Sequence, residues 1–331
     1  MEDLKLQVLR EFEVIPKRII KEKSYYICKT DKGNRIVKKS FDTKENLEFQ
    51  NEVKVHLYDN GFRNIDVFSI SRNRKPYVEI ENNIYVMTEM KEAKESNYSD
   101  RDGFLKVVKE VARFHRIGKG INFGGEIFYQ CEGIIEKSTR NLQELSAIRK
   151  KLKTQRKLLD FDVLFLKNYS YYEEELRETI AILENSEYIE EKSKAKERGQ
   201  ICHNLLKEEN VLQIKEGVYI SSFSKIEVGS KLQDIAMLIQ RHRKSAGEEA
   251  MSIQEIVENY SEENEITKEE SKILYGILKY PEKYMKIVNQ YYSKKRSWIP
   301  NAINNRMGVI VDSKGSYEKY IKKFGLEFFV E

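Results

Sequence analysis

The chain has 331 residues, 34% of them charged, and 59 lysines and arginines against 54 acids give a formal net charge of +5. That length suffices for one large domain or two lobes with separate cores, and charges of both signs read as solvated helix faces rather than a nucleic-acid tract. Three scattered cysteines, Cys28, Cys131 and Cys202, exclude a disulfide framework and show no metal spacing, and no apolar run approaches a membrane span. The acidic, amphipathic start Met1-Glu2-Asp3-Leu4-Lys5 lacks the order of a secretion signal, so a cytoplasmic protein is expected.

A short helix is predicted over Leu4 to Phe12, closed by Pro16. Strands follow at Arg18 to Lys23, Tyr25 to Thr30 and Arg35 to Ser40, the last two joined by the Asp31-Lys32-Gly33-Asn34 turn. Leu47, Val53 and Leu57 mark a helix that Gly61 stops. Further strands are expected at Ile65 to Ser71, Tyr77 to Ile80 and Ile84 to Glu89, which makes residues 1–90 a sheet-rich lobe. The polar stretch at 91–100 reads as a connector, and residues 101–331 read as a helical lobe. Phe104, Val107, Val108, Val111, Ala112 and His115 begin it at helical spacing, and a long helical region covers Ser138 to Tyr188. One small hairpin, Val211 to Ile214 with Val218 to Ile220, is the only β-structure expected there before helices resume at Leu232.

Gln200-Ile201-Cys202-His203-Asn204-Leu205-Leu206-Lys207-Glu208-Glu209-Asn210 resembles a phosphotransferase catalytic loop with its acid missing. In kinase-like folds an Asp two residues after the His accepts the substrate proton, and an Asn five residues further on helps hold magnesium. Here His203 and Asn210 keep the spacing while Leu205 takes the Asp position. Downstream, Val218-Tyr219-Ile220 runs into Ser221-Ser222-Phe223, and Ser222 stands where such folds carry the metal-binding Asp. Glu208 and Glu209 lie on the wrong side of the spacing to replace Leu205.

Lys38 ends an apolar strand where kinase-like folds place a phosphate-contacting lysine, with Glu52 as its first candidate ion-pair partner and Glu48 as the second. The segment between the first two strands, Lys21-Glu22-Lys23-Ser24-Tyr25, lacks the glycines that let backbone amides approach phosphates. Asp234 matches a helix-start acid that ties down the catalytic-loop backbone, and His203 reads as a packing and hydrogen-bonding residue. His203, Asn210 and Asp234 hold shape; the residues that do chemistry are the ones replaced.

Ile84-Tyr85-Val86-Met87-Thr88-Glu89-Met90, Val111-Ala112-Arg113-Phe114-His115-Arg116, the 200–240 block and Tyr280-Pro281-Glu282-Lys283-Tyr284 continuing into Tyr291-Tyr292 and Trp298 together resemble the CotS-type spore coat family. That family is a branch of the aminoglycoside-phosphotransferase-like kinase fold. The resemblance implies an α+β, bilobal protein-kinase-like architecture, synthesis in the mother-cell cytoplasm, and a final place in the spore coat beside other coat proteins. With Leu205 and Ser222 in place, the expectation is a catalytically inactive pseudokinase in coat assembly or structure, without cofactor, metal, nucleic acid or membrane span. Lys38 and Glu52 are then a vestigial nucleotide site. The alternatives are an active small-molecule phosphotransferase using ATP and magnesium with an unusual acid, and a nucleotide-sensing module. The aromatic set Tyr284, Tyr291, Tyr292 and Trp298 is either core packing of the last helices or a docking surface, with Trp298 the first candidate to contact a coat protein.

Overall fold

The computed structural model describes residues 2–121, 133–293 and 302–329. Cys131 and Trp298 lie outside the described residues.

Helix α1 (Glu2–Glu11) leads into β1 (Pro16–Lys21), β2 (Tyr25–Thr30) and β3 (Gly33–Ser40). The β1–β2 connection is a tight turn in which Glu22 N donates to Tyr25 O at 2.9 Å, so no long loop overhangs the sheet. Helix α2 (Lys44–Asp59) starts at Thr43, whose hydroxyl accepts from Asn46 N and satisfies one of the first-turn donors. Strands β4 (Val78–Ile80) and β5 (Asn83–Glu89) complete an antiparallel sheet of order β1-β2-β3-β5-β4. One face packs on Val8 and Leu9 of α1, and on Phe12 just beyond it, through Cys28, Val37 and Met87. The other face meets α2 through Leu47, Phe68 and Val86.

The predicted strand over Ile65 to Ser71 does not form. The segment makes only two isolated bridges, Ile65 with Ile220 and Phe68 with Thr88, because Asp66 between them turns inward to buried partners. The expected connector holds a short strand, β6 (Lys94–Glu95), paired with β8 (Val211–Ile214). Between these, α3 (Arg101–Ile117) is capped by Asp100 and buries Phe104, Val107, Val108, Val111 and His115. The long helical region is three helices, α4 (Ile134–Lys153), α5 (Asp160–Glu184) and α6 (Tyr188–Glu197). Then come β7 (Ile201–Cys202), β8, β9 (Gly217–Ile220) and β10 (Glu227–Val228), with β10 pairing to β7. Helices α7 (Leu232–Ala246), α8 (Ile253–Ser261), α9 (Lys268–Lys279), α10 (Glu282–Tyr292) and α11 (Ala302–Phe329) finish the chain. No helix among the described residues is long and apolar enough to cross a membrane.

Two compact units result, and their grouping cuts across the region expected as one helical lobe. The first comprises Met1–Tyr129, Ala195–Ala250 and Asn259–Glu265; the second comprises Gln130–Lys194, Met251–Glu258 and Ile266–Glu331. Within the second, Tyr284 stacks on Tyr172 and Tyr291 on Phe161, with ring centroids 3.4 and 3.8 Å apart. Both tyrosines are buried, so they are core and present no docking surface. Tyr292 is half-buried and donates to Asp162 Oδ1 at 3.0 Å.

The first unit carries the candidate site, and Gly199 fixes the approach to it. Its φ is +54°, and any Cβ there would strike the backbone of Ile121, whose N–H donates to Gly199 O. Gly199→Ala is expected to destabilise the chain by at least about 2 kcal/mol, from the left-handed backbone and the backbone collision together. Denaturant titration of the variant against the parent measures it.

Candidate functional site

The loop from His203 to Asn210 is organised by a carboxylate beneath it. Asp234, in the first turn of α7, is fully buried and accepts three hydrogen bonds. His203 N donates to Oδ2 at 2.6 Å, Asn204 N to Oδ1 at 2.7 Å, and His115 Nε2 to Oδ2 at 3.0 Å. Burial alone pushes the Asp234 carboxyl up, but the bond and charge of His115, followed by His203, outweigh it and hold the group below its ordinary value. His115 in turn contacts the Tyr260 hydroxyl through Nδ1 at 2.8 Å. The apolar stripe of α3 puts His115 on the inward face, and the short β7 delivers His203 above it.

His203 has no free ring nitrogen. Leu205 N, which can only donate, points to Nδ1 at 3.2 Å, so Nδ1 is the acceptor and Nε2 carries the proton given to Ser221 O at 3.1 Å. Burial also pushes the imidazole below its usual value. A neutral ring with both nitrogens committed to backbone is a structural element. Leu205 offers only apolar atoms at the acid position. Asn210 gives its Nδ2 hydrogen to Leu205 O at 3.0 Å and receives Ser221 N and Oγ on its main-chain carbonyl. The neighbouring acids are occupied: Glu208 binds Arg241 and Ser245, and Glu209 lies 3.5 Å from Lys207.

Ser222 adopts φ +66°, a left-handed conformation costly for a residue with a Cβ. Its N–H donates to Asp66 Oδ2 at 3.1 Å. Asp66 Oδ1 lies 3.1 Å from Lys54 Nζ, and both side chains are almost fully buried. The Lys54 ammonium rests over the Phe68 ring, 3.5 Å from its centroid, with Phe223 at 5.0 Å. Desolvation pulls Lys54 down to about 8, against the opposing pull of Asp66. This pair was missed at the sequence level, although its signal was present. Lys54 falls on the buried stripe Leu47, Gln50, Val53, Leu57 of α2, where a charge needs a buried counter-charge.

Lys38 and Glu52 are not brought together. Lys38 is half-buried on β3, while Glu52 is exposed, and no ion pair joins them among the described residues. The acid-bearing face of α2 points outward; Glu48 serves Lys75 and Tyr77. The buried face carries Gln50, bonded to Asp42 and Asn46. No group of three or more potential metal ligands occurs among the described residues. Asn210 and Ser222 provide one amide and one hydroxyl, and the nearby carboxylate of Asp66 is already spanned by Lys54 and Ser222 N. This donor set does not fit magnesium, which takes carboxylate oxygens and strict octahedral geometry.

Asp234→Ala is expected to lower stability by roughly 3 kcal/mol or more, because two backbone donors and one imidazole donor lose their partner in a dry site. Denaturation at neutral pH measures it. Because the Asp234 carboxyl is held low, its contribution is present above the unfolded value of 3.8 and is lost as pH falls through the folded one.

Lys54 has the same sign in a different window. Between about 8 and its ordinary 10.5 the unfolded chain holds a proton that the folded chain has released, so stability from this group rises with pH. The stability of the parent relative to a Lys54→Met/Asp66→Asn double variant should therefore increase across that window, by on the order of 3 kcal/mol at most. Urea titrations at each end of the window check it.

With this geometry in view, the fold is the one shared by aminoglycoside phosphotransferases and choline kinases. An aminoglycoside phosphotransferase from Alicyclobacillus acidocaldarius superposes with a TM-score of 0.85 at 15% identity, over 97% of this chain and 95% of its own. A spectinomycin phosphotransferase bound to ADP and spectinomycin gives 0.63 at 12% identity, over 100% and 94%. The choline kinase of Cryptosporidium parvum gives 0.57 at 11%, over 98% of each chain. No curated protein sequence matches the chain. The family described as "Spore coat putative kinase YutH" matches residues 5–324, nearly the whole length, and the chain belongs to that family.

Proposed function

We propose that this protein is a non-catalytic, kinase-fold component of the spore coat, acting in coat assembly or structure. One observation carries the reading: the catalytic loop keeps its hydrogen-bonded frame but holds no proton acceptor. His203 spends both nitrogens on backbone, Leu205 replaces the acid, and Glu208 and Glu209 are engaged elsewhere. Phosphoryl transfer depends almost wholly on positioning and charge stabilisation, and the second acid, at Ser222, is absent as well. Membership of a spore coat family supports the location.

A nucleotide-sensing role has one feature in its favour. Ile20, Ile27 and Ile36 stand in register on the face that carries Lys38, and all three are only half-buried. Such an apolar strip beside a cation suits a nucleobase with its phosphate. Stabilisation by ATP alone, without added magnesium, would favour this reading.

Two measurements test the non-catalytic reading. Incubation with ATP, magnesium and an aminoglycoside, choline, a sugar or a protein acceptor is expected to release no ADP above the acceptor-free blank. ATP with magnesium is expected to leave the melting temperature unchanged. Acceptor-dependent ADP release that Asn210→Ala abolishes would establish a working phosphotransferase instead.

A further inference from the structure

The positive charge of this chain is not spread evenly. Residues Pro16 to Ser40, which form β1, β2 and β3, contain nine lysines and arginines and two acids, a net +7. The remainder of the chain therefore carries −2 of the overall +5. Seven of the nine, Lys17, Arg18, Lys21, Lys23, Lys29, Lys32 and Lys39, are exposed. None of the nine forms an ion pair among the described residues. Elsewhere exposed cations do find acids, as in Lys75 with Glu48, Lys194 with Glu187 and Arg116 with Glu263. Arg18 and Lys29 also stand directly opposite one another across the β1–β2 ladder, an unfavourable pairing of like charges that an anion between them would relieve.

The same strands end in an open edge. β1 is terminal in its sheet. The hydrogen bond from Glu22 N to Tyr25 O sets the alternation of the hairpin. Counting back through the register, Ile20 and Arg18 face β2, so the main-chain groups of Ile19 and Lys21 point away from it to the free side. Lysines and Pro16 on an edge strand guard against pairing with another copy. That guard repels a basic strand and attracts an acidic one. Arg18 and Lys29 lie on the sheet face, where they serve no guarding purpose.

We propose that the β1 edge is a docking site for an acidic, extended polypeptide segment, which adds as a further strand while its carboxylates meet Lys17, Arg18, Lys21 and Lys29. Main-chain bonds to Ile19 and Lys21 would give the register, and the flanking cations the selectivity and salt dependence. None of these groups belongs to the loop from His203 to Asn210, so the proposal does not depend on whether that loop is active.

Fluorescence anisotropy with the full chain tests it, using a labelled peptide of alternating glutamate and threonine. Binding is expected, weakening as salt is raised. The same peptide with every main-chain nitrogen methylated keeps the charges but lacks the strand's donors, and should bind roughly tenfold more weakly or worse. Equal binding of the two peptides would overturn strand addition. Lys17→Glu/Lys21→Glu should reduce binding by a similar factor, with the melting temperature confirming that the variant folds; an unchanged affinity would overturn the assignment to β1. Tighter binding of single-stranded DNA of matched charge, or of phosphatidylglycerol vesicles, than of the glutamate–threonine peptide would also overturn it, in favour of a polyanion or lipid surface.

Discussion

The carboxylate of Asp234 is the constraint on which the site depends. It lies in a dry interior and is stable there only because three N–H groups converge on it, two from consecutive backbone residues of the loop and one from His115. The requirement runs both ways. His203 and Asn204 have buried amide hydrogens that no strand ladder satisfies, and Asn204 takes the left-handed conformation, φ +58°, that turns both amides toward one acceptor. A loop built in this way keeps its shape for reasons of hydrogen bonding alone. It retains the outline of a phosphotransferase loop whether or not chemistry is performed on it.

The second buried charge system answers a different problem. A left-handed serine at position 222 needs its N–H held, and Asp66 holds it. An isolated carboxylate at that depth would be expensive, and Lys54 supplies the counter-charge from α2, with Phe68 and Phe223 facing the ammonium. The outcome is an ion pair internal to the fold beside Ser222. An additional carboxylate at 222 without a metal would repel Asp66 and add desolvation cost. Serine avoids that conflict, and Lys54 is neutralised from within.

Much of the architecture was legible because it rests on local rules. The hairpins follow from alternation and the Asp31-Lys32-Gly33-Asn34 turn, α3 from its apolar stripe, and the β8–β9 pair from Glu216-Gly217. The failures have a common cause in long-range partners. Ile65 to Ser71 alternates like a strand, but Asp66 is drawn inward to Lys54 and the ladder never forms. The helical stretch after Ser138 breaks between Lys153 and Asp160 without a proline or glycine to announce it. The sequence marked Glu52 because an acid was wanted near Lys38. The buried face of α2 is set by Leu47, Val53 and Leu57, and Glu52 is about 200° around the helix from Gln50. His203, Asn210 and Asp234 were identified by spacing; the hydrogen bonds that fix the histidine tautomer are visible only once Leu205 N and Ser221 O are in place.

Cations are therefore treated in two ways within one unit of this protein. Lys54 is withdrawn from water and given an acid and two aromatic rings. Most of the lysines and arginines between Pro16 and Ser40 are left in water, and none of them forms an ion pair among the described residues. If solubility were the only demand, interspersed acids would serve equally and would spare the repulsion between Arg18 and Lys29. The fold itself needs none of those charges, since the sheet is held by Cys28, Val37 and Met87 on one face and by Val86 with α2 on the other. Charge that neither the core nor the loop requires, gathered beside an unpaired strand edge, is accounted for most simply by something outside the chain. Positions 205 and 222 thus carry no carboxylate, while the sheet carries a concentrated positive surface.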